Sequence, residues 1–355
     1  MSAIAEKAML VAVHISIWTA RKHDRAVSKE VAVTHNSEEK LGRFNKRLLA
    51  EGTKLEAIQT LAGKIRNYFY QNTLPWSDEG LRILPADLYF DLTSKMRDFE
   101  QEFHSAVDDF LVEYPEYVRS TRPLLNGLFR EEDYPDADKL REKFGVKLEV
   151  LPIPSGADFR VQLSEEQKTL IAEKIDANVR ESLARSNRDL WFRMYEVVSH
   201  FAKRLGDPDA RLYASVFTKV AEMAEILPKL NITNDPALNV LAEQVKTQLC
   251  QFSVSSLRDN DRLRAETAAK AATLARQMDT TLAELSRSSE TERSAAPVET
   301  TAGPADPADV PVTTPAAAAP LLFPAAETRL APEESADAIV TRMSAYMGYA
   351  GAACA

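Results

Sequence analysis

The chain has 355 residues, a formal net charge of -9, 45% hydrophobic and 27% charged residues, and only 11 glycines. This allows a sizeable core and leans towards helix, since scarce glycine disfavours turn-rich all-β folds. Two cysteines, Cys250 and Cys354, exclude a disulfide framework and point to a reducing, cytoplasmic setting. No run of about 18 apolar residues offers a membrane span.

The charge is unevenly distributed. Residues 1–70 carry +5, residues 71–170 carry -9 and the remainder -5, so a basic head precedes an acidic body. In the head, Val11, Val13, Ile15 and Ile17 alternate with Ala12, His14, Ser16 and Trp18, the period-two pattern of a half-buried strand. Asp24 is placed to cap a short helix through Val33. Asn36 or Ser37 then offers a cap for a second helix, whose stripe runs Leu41, Phe44, Leu48, Leu55, Ile58, Leu61, Ile65 and Phe69 with an interruption at Gly52.

Pro75, Gly80 and Pro85 mark Asn72–Pro85 as a connection. From Ala86 a long helix is expected on the stripe Leu88, Leu92, Met96, Phe99, Phe103, Val107, Phe110 and Leu111, kinked or divided at Pro115. Between 147 and 163, alternation on either side of Pro154-Ser155-Gly156-Ala157-Asp158 predicts a β-hairpin. Ser164 with Gln167 three residues on is a capping box, so the long helices of residues 164–285 begin there. The first ends at Gly206-Asp207-Pro208, a second spans Asp209 to about Leu230, and a third runs from Asp235-Pro236 past Cys250 towards Leu285.

Residues 286–332 are rich in Ala, Pro, Thr and Ser and lack the apolar surface to offset ordering entropy, which predicts a disordered linker. Within 333–350, Ile339, Val340, Met343, Tyr346 and Met347 share one helical face, and a short amphipathic helix on a tether suits partner docking. The expected fold is therefore mainly α with a small β component. In detail it is an elongated antiparallel helical bundle or coiled coil over residues 1–285, with an N-terminal strand, a hairpin and a disordered tail.

Chemistry-bearing motifs are sparse. Phosphate-binding glycine loops, zinc-ligand spacings and nucleophile elbows do not occur, so no cofactor, metal or catalytic residue is expected. His14 and His23 are placed to approach across a strand end, and Asp87 with Asp91 and Asp108 with Asp109 form acid pairs, which read as solvated faces. Cys250 has no evident base. The basic head is the strongest candidate for contact with an anion. Arg21, Lys22, Arg25, Arg43, Lys46 and Arg47 lie among Trp18, Phe44, Tyr68, Phe69 and Tyr70, a mixture able to neutralise phosphates and stack on bases, or to meet an acidic protein.

The segment Val13-His14-Ile15-Ser16-Ile17-Trp18-Thr19-Ala20-Arg21-Lys22, followed by long helices, resembles a bacterial and phage family known as domain of unknown function 3150, over residues 8–285. The resemblance implies a non-catalytic part of a mobile-element or phage system containing a MoxR-like AAA+ ATPase and a von Willebrand factor A protein. It implies no catalytic residues. The expectation is a scaffold or adaptor with protein partners and no membrane contact, for which self-association is open. A nucleic-acid-binding accessory role is the alternative.

Overall fold

A strand that pairs on both sides organises the N-terminal half. In the computed structural model, which describes residues 4–77, 80–156 and 164–295, the strand expected at Val11–Trp18 is β1, spanning Ala8–Ser16, so it starts three residues earlier and leaves Ile17 and Trp18 beyond its end. It pairs antiparallel with β5 (Arg82–Pro85), Ala8 opposite Pro85 and Val11 opposite Arg82. On its other side it pairs with β6 (Gly145–Leu151), Leu10 opposite Leu151 and Ser16 opposite Gly145. A two-residue strand β4 (Leu74–Pro75) completes the order β4-β5-β1-β6. The segment expected as a connection thus holds two strands. Pro75 sits on an edge strand and Pro85 ends its own, where a missing backbone donor is tolerated.

Helix α1 (Arg25–Thr34) begins at Asp24, whose carboxylate accepts from the Val27 amide at 3.2 Å. The helix expected from Asn36 begins instead at Thr53, and α2 spans Lys54–Gln71. Residues 39–41 form one turn of 3-10 helix, and Asn45–Arg47 form strand β3, paired antiparallel with β2 (Arg21–His23). The stripe fails there because residues 45–48 alternate. Lys46 and Leu48 are buried while Asn45 and Arg47 are exposed, and Leu41 is 80% exposed. Gly52 adopts φ +80°, a left-handed turn just ahead of α2 that glycine enters without steric cost.

Helix α3 (Tyr89–Leu125) buries Leu92, Met96, Phe103, Val107, Phe110 and Leu111 as expected, but runs on through Pro115 and Pro123 without division. Phe110 and Tyr114 enclose Trp18, with Tyr114 edge-on at 5.8 Å. Lys54 at the start of α2 is tied to α3 by its ammonium, 2.7 Å from Glu113. After the short helix α4 (Ala137–Arg141), β6 supplies the first arm of the expected hairpin, and its partner is β1. The second arm falls within 157–163, outside the described residues.

Helix α5 (Glu165–Gly206) starts with the expected capping box, Gln167 N–H donating to Ser164 Oγ at 3.3 Å and Ser164 N–H to Gln167 Oε1 at 3.2 Å. Helix α6 spans Ala214–Leu230 and α7 spans Pro236–Leu249, joined by a turn in which the Asn231 side chain donates to the Asp235 carbonyl and accepts from the Asp235 N–H. The third expected helix is interrupted. Cys250 ends α7, Ser253 caps α8 (Val254–Arg258), and Asn260 accepts from Leu263 N–H as α9 (Asp261–Ala295) begins. Helix α9 continues ten residues beyond the boundary expected at 285.

The Arg264 guanidinium, in the first turns of α9, donates to the carbonyls of Leu205 at 3.0 Å and Ala210 at 3.1 Å, and to that of Asp207, at the end of α5. Farther along, Met278 of α9 meets Trp191 of α5 in one groove, so the two helices run antiparallel. All described residues belong to one compact unit, Met1–Pro297. The linker from 296 and the terminal helix expected at 333–350, with Ile339, Val340, Met343, Tyr346 and Met347, lie outside the described residues. Arg264→Ala is expected to lower stability by about 1.5–3 kcal/mol, because partly buried carbonyls at and just after the end of α5 lose a charged donor. Urea unfolding measures it, and Arg264→Lys should restore only part of the loss.

Candidate functional site

The basic head divides into an inward and an outward set of cations, and the ladder between β2 and β3 decides which is which. Lys22 lies opposite Lys46, and Arg21 opposite Arg47. Directly opposed residues in an antiparallel pair share a face. Lys46 points inwards and is 3% exposed. Its ammonium lies 3.0 Å from Asp24 Oδ2 and 2.8 Å from Asp133 Oδ2, and donates to the Leu128 carbonyl at 2.8 Å. Lys22, on the same face, stands 3.6 Å from Asp133. A buried ammonium requires such a cage, since an unpaired charge in the interior is strongly unfavourable.

Asp24 has three tasks. It caps α1, accepts from Lys46, and offers its carbonyl to the Ser28 hydroxyl at 2.7 Å. The Ser28 hydroxyl in turn accepts from Phe44 N–H at 2.9 Å, and His23 lies 3.1 Å from it. The Lys46 hydrogen bond, followed by that of the Val27 amide, holds the Asp24 carboxyl below its usual range. Burial opposes the charge on Lys46, but Asp133 and Asp24 outweigh it and hold the ammonium pKa above its ordinary value.

The outward face carries Arg21 and Arg47, with Arg25 and Arg43 exposed nearby in sequence. Arg47 is paired with Glu51 at 2.8 Å across an exposed contact. Of the aromatics expected to stack on bases, Trp18 and Phe69 are core residues. Tyr70 carries the Arg82 guanidinium 4.8 Å above its ring, and Phe44 is 36% exposed. The six expected contact residues therefore do not form one surface. Lys46 is consumed internally, Lys22 and Arg47 have acidic partners, and Arg21, Arg25 and Arg43 face outwards.

Helix α1 is inverted relative to an ordinary amphipathic helix. It buries Ser28 and Ala32 and turns Val31 and Val33 outwards, Val33 at 73% exposure. Leu41 and Phe44 are also exposed, and Arg25, Lys29, Lys40 and Arg43 are interleaved with them. Of these, Leu41 and Phe44 belong to the stripe that the sequence predicts for a second helix. The legible signal was the serine and alanine at 28 and 32, one helical turn apart, where a core would take larger side chains.

Two grooves lie elsewhere. One of about 380 Å³ is lined by Trp191, Val240, Leu241, Gln277, Met278 and Thr281 of α5, α7 and α9. The other, of about 440 Å³, includes Trp76, Ile175, Glu181 and Arg185, the last two 3.6 Å apart as an ion pair. Among the described residues no group of three His, Cys, Asp or Glu side chains could hold a metal ion. His14 lies 2.9 Å from Glu149, and His23 contacts Ser28, so the two histidines do not meet. Asp87, Asp91, Asp108 and Asp109 are exposed, Asp108 pairing with Arg141. Burial pushes the Cys250 thiol up, which disfavours a thiolate.

Lys46→Ala leaves the buried Asp24 carboxylate without its ammonium and Asp133 with only the more distant Lys22, and is expected to lower stability by about 3–5 kcal/mol in urea unfolding. Asp24→Asn keeps the helix cap and removes the charge. Because the folded-state pKa of Asp24 is depressed, its stabilisation is present above the ordinary carboxylate range and lost as pH falls through the depressed value. Asp24→Asn should therefore be less stable than the parent at neutral pH, with the gap closing as pH falls below about 4. Thermal melts across pH 2–7 would show this. Comparison with protein-family models, with curated proteins and with solved structures found no match for this chain.

Proposed function

We propose that this chain is a non-catalytic scaffold or adaptor that docks to an acidic protein surface through the outward side of its head. The inversion of α1 carries the reading. A helix that buries Ser28 and Ala32 while exposing Val31 and Val33 leaves apolar area in water that its own fold does not use. Leu41, Phe44 and the cations at Arg25, Lys29, Lys40 and Arg43 are exposed in the same stretch of chain, so the head presents both apolar and basic side chains to solvent. Such cations steer an acidic partner and fix its orientation, while apolar contact supplies affinity. The grooves described above hold a mostly apolar lining or a self-satisfied ion pair, neither of which equips them for proton transfer. By the family resemblance, the partner would belong to a MoxR-like AAA+ ATPase and von Willebrand factor A system.

The juxtaposition of Arg21 and Arg47 favours a second reading, since like charges directly opposite on a ladder are relieved by an anion. A nucleic-acid backbone would supply one. Only Arg21, Arg25 and Arg43 among the six candidate cations lack an acidic partner within the described residues, which makes this the weaker reading.

Native co-purification of the tagged full chain, quantified by mass spectrometry beside Val33→Glu/Leu41→Glu, tests the first reading. A specific partner should fall by about tenfold or more in the variant while the unfolding midpoint holds. Equal recovery of every co-purified protein would overturn it. Fluorescence titration with single- and double-stranded oligonucleotides at low salt tests the second, which fails if no binding is seen there.

A further inference from the structure

We propose that β6 is a self-complementary edge through which two copies of this chain join their sheets. The order β4-β5-β1-β6 leaves β6 at one end, with no strand on its outer side among the described residues. An edge strand presents a row of backbone donors and acceptors ready to pair with another chain. Seven residues make this the longer of the two sheet edges, since β4 has only two.

The sequence of the edge suits its own antiparallel copy. Centring the pair on Leu148 places Leu148 opposite Leu148, Val146 opposite Val150, and Lys147 opposite Glu149 of the second copy. Each of the two Lys147 residues then meets a carboxylate directly across the ladder. Cross-strand pairs of opposite charge are favourable and like charges in that position are not. A lone lysine in the middle of an edge is a common barrier to association. Here Glu149, set symmetrically about Leu148, converts that barrier into a selector for the antiparallel self-pair.

The faces agree. Val146 and Leu148 pack against the core on the side shared with Val13 and Ile15, so Val150 of the second copy extends that apolar surface. Val150 is 44% exposed and Leu151 37% exposed, and pairing covers both. On the opposite side Glu149 accepts from, or pairs with, His14 at 2.9 Å, and a carboxylate has acceptor capacity left for a lysine. The product is one continuous sheet ordered β4-β5-β1-β6-β6-β1-β5-β4.

Sedimentation velocity of the full chain over a range of concentrations, with three variants, tests this. The parent should dimerise. Lys147→Glu and Glu149→Lys each place like charges at both pairs and should raise the dimer dissociation constant by about tenfold or more. The double exchange Lys147→Glu/Glu149→Lys should restore dimerisation. An equimolar mixture of the two single variants should form a heterodimer, because glutamates at 147 and 149 of one then face lysines of the other. A chain that stays monomeric at every concentration overturns the proposal. So does a dimer that both single variants leave intact, or a mixture that remains monomeric.

Discussion

The ammonium of Lys46 is the constraint on which the head of this protein depends. One buried positive charge requires oxygen from several directions, and it draws Asp24 together with Leu128 and Asp133 from two stretches of chain about a hundred residues apart. The same demand turns Lys46 inwards, with Lys22 on that face of the β2–β3 ladder at its exposed margin, and leaves Arg21 and Arg47 on the other face. The outward surface is thus a by-product of an internal electrostatic requirement. Hydrophobic residues of similar volume often replace a buried ionic group without loss of stability. Its value here lies in orientation, since the apolar and basic side chains of α1 and the following turn are displayed from a frame that the cage holds in register.

The C-terminal half solves a different problem. Helices α5 and α9 are long, and long helices slide unless something marks their register. Two polar devices do so. Arg264 closes over the last carbonyls of α5, and Asp235, the cap of α7, accepts from Trp191 Nε1 at 3.2 Å and from Asn187 at 3.3 Å. Each ties the end of one helix to the side or end of another, where unsatisfied backbone groups accumulate. Between these points the packing is apolar, with Leu190, Met194, Val198 and Phe201 of α5 and Ala271, Leu274 and Met278 of α9 buried.

How much of this was legible follows from how far apart the interacting groups lie. Strand β1, the cap at Asp24, and the box at Ser164 and Gln167 are local patterns, and each reads directly from a few adjacent residues. Residues 37–53 misled because Leu41, Phe44 and Leu48 fall at helical spacing, while the feature that decides the segment, Lys46, answers to an aspartate far away in sequence. Strands β4 and β5 are too short to show a period and acquire their state only by lying beside β1. The break after Cys250 was carried by Ser253 and Asn260, polar caps hidden within an otherwise continuous apolar repeat. At the site, the positions of the cations were legible but their orientation was not.

The order in which β1 finds its neighbours bears on biosynthesis. Its partner β6 begins only at Gly145, so a nascent chain that has already emitted residues 8–16 waits for well over a hundred more codons. At ordinary translation speeds of about 5–20 residues per second that interval is on the order of 7–25 seconds. Throughout it a strand carrying Leu10, Val11, Val13 and Ile15 has one flank unsatisfied. The ribosome-bound intermediate is therefore the stage at which this protein is most exposed to wrong partners, and chaperone attention during synthesis would fall on its first strand.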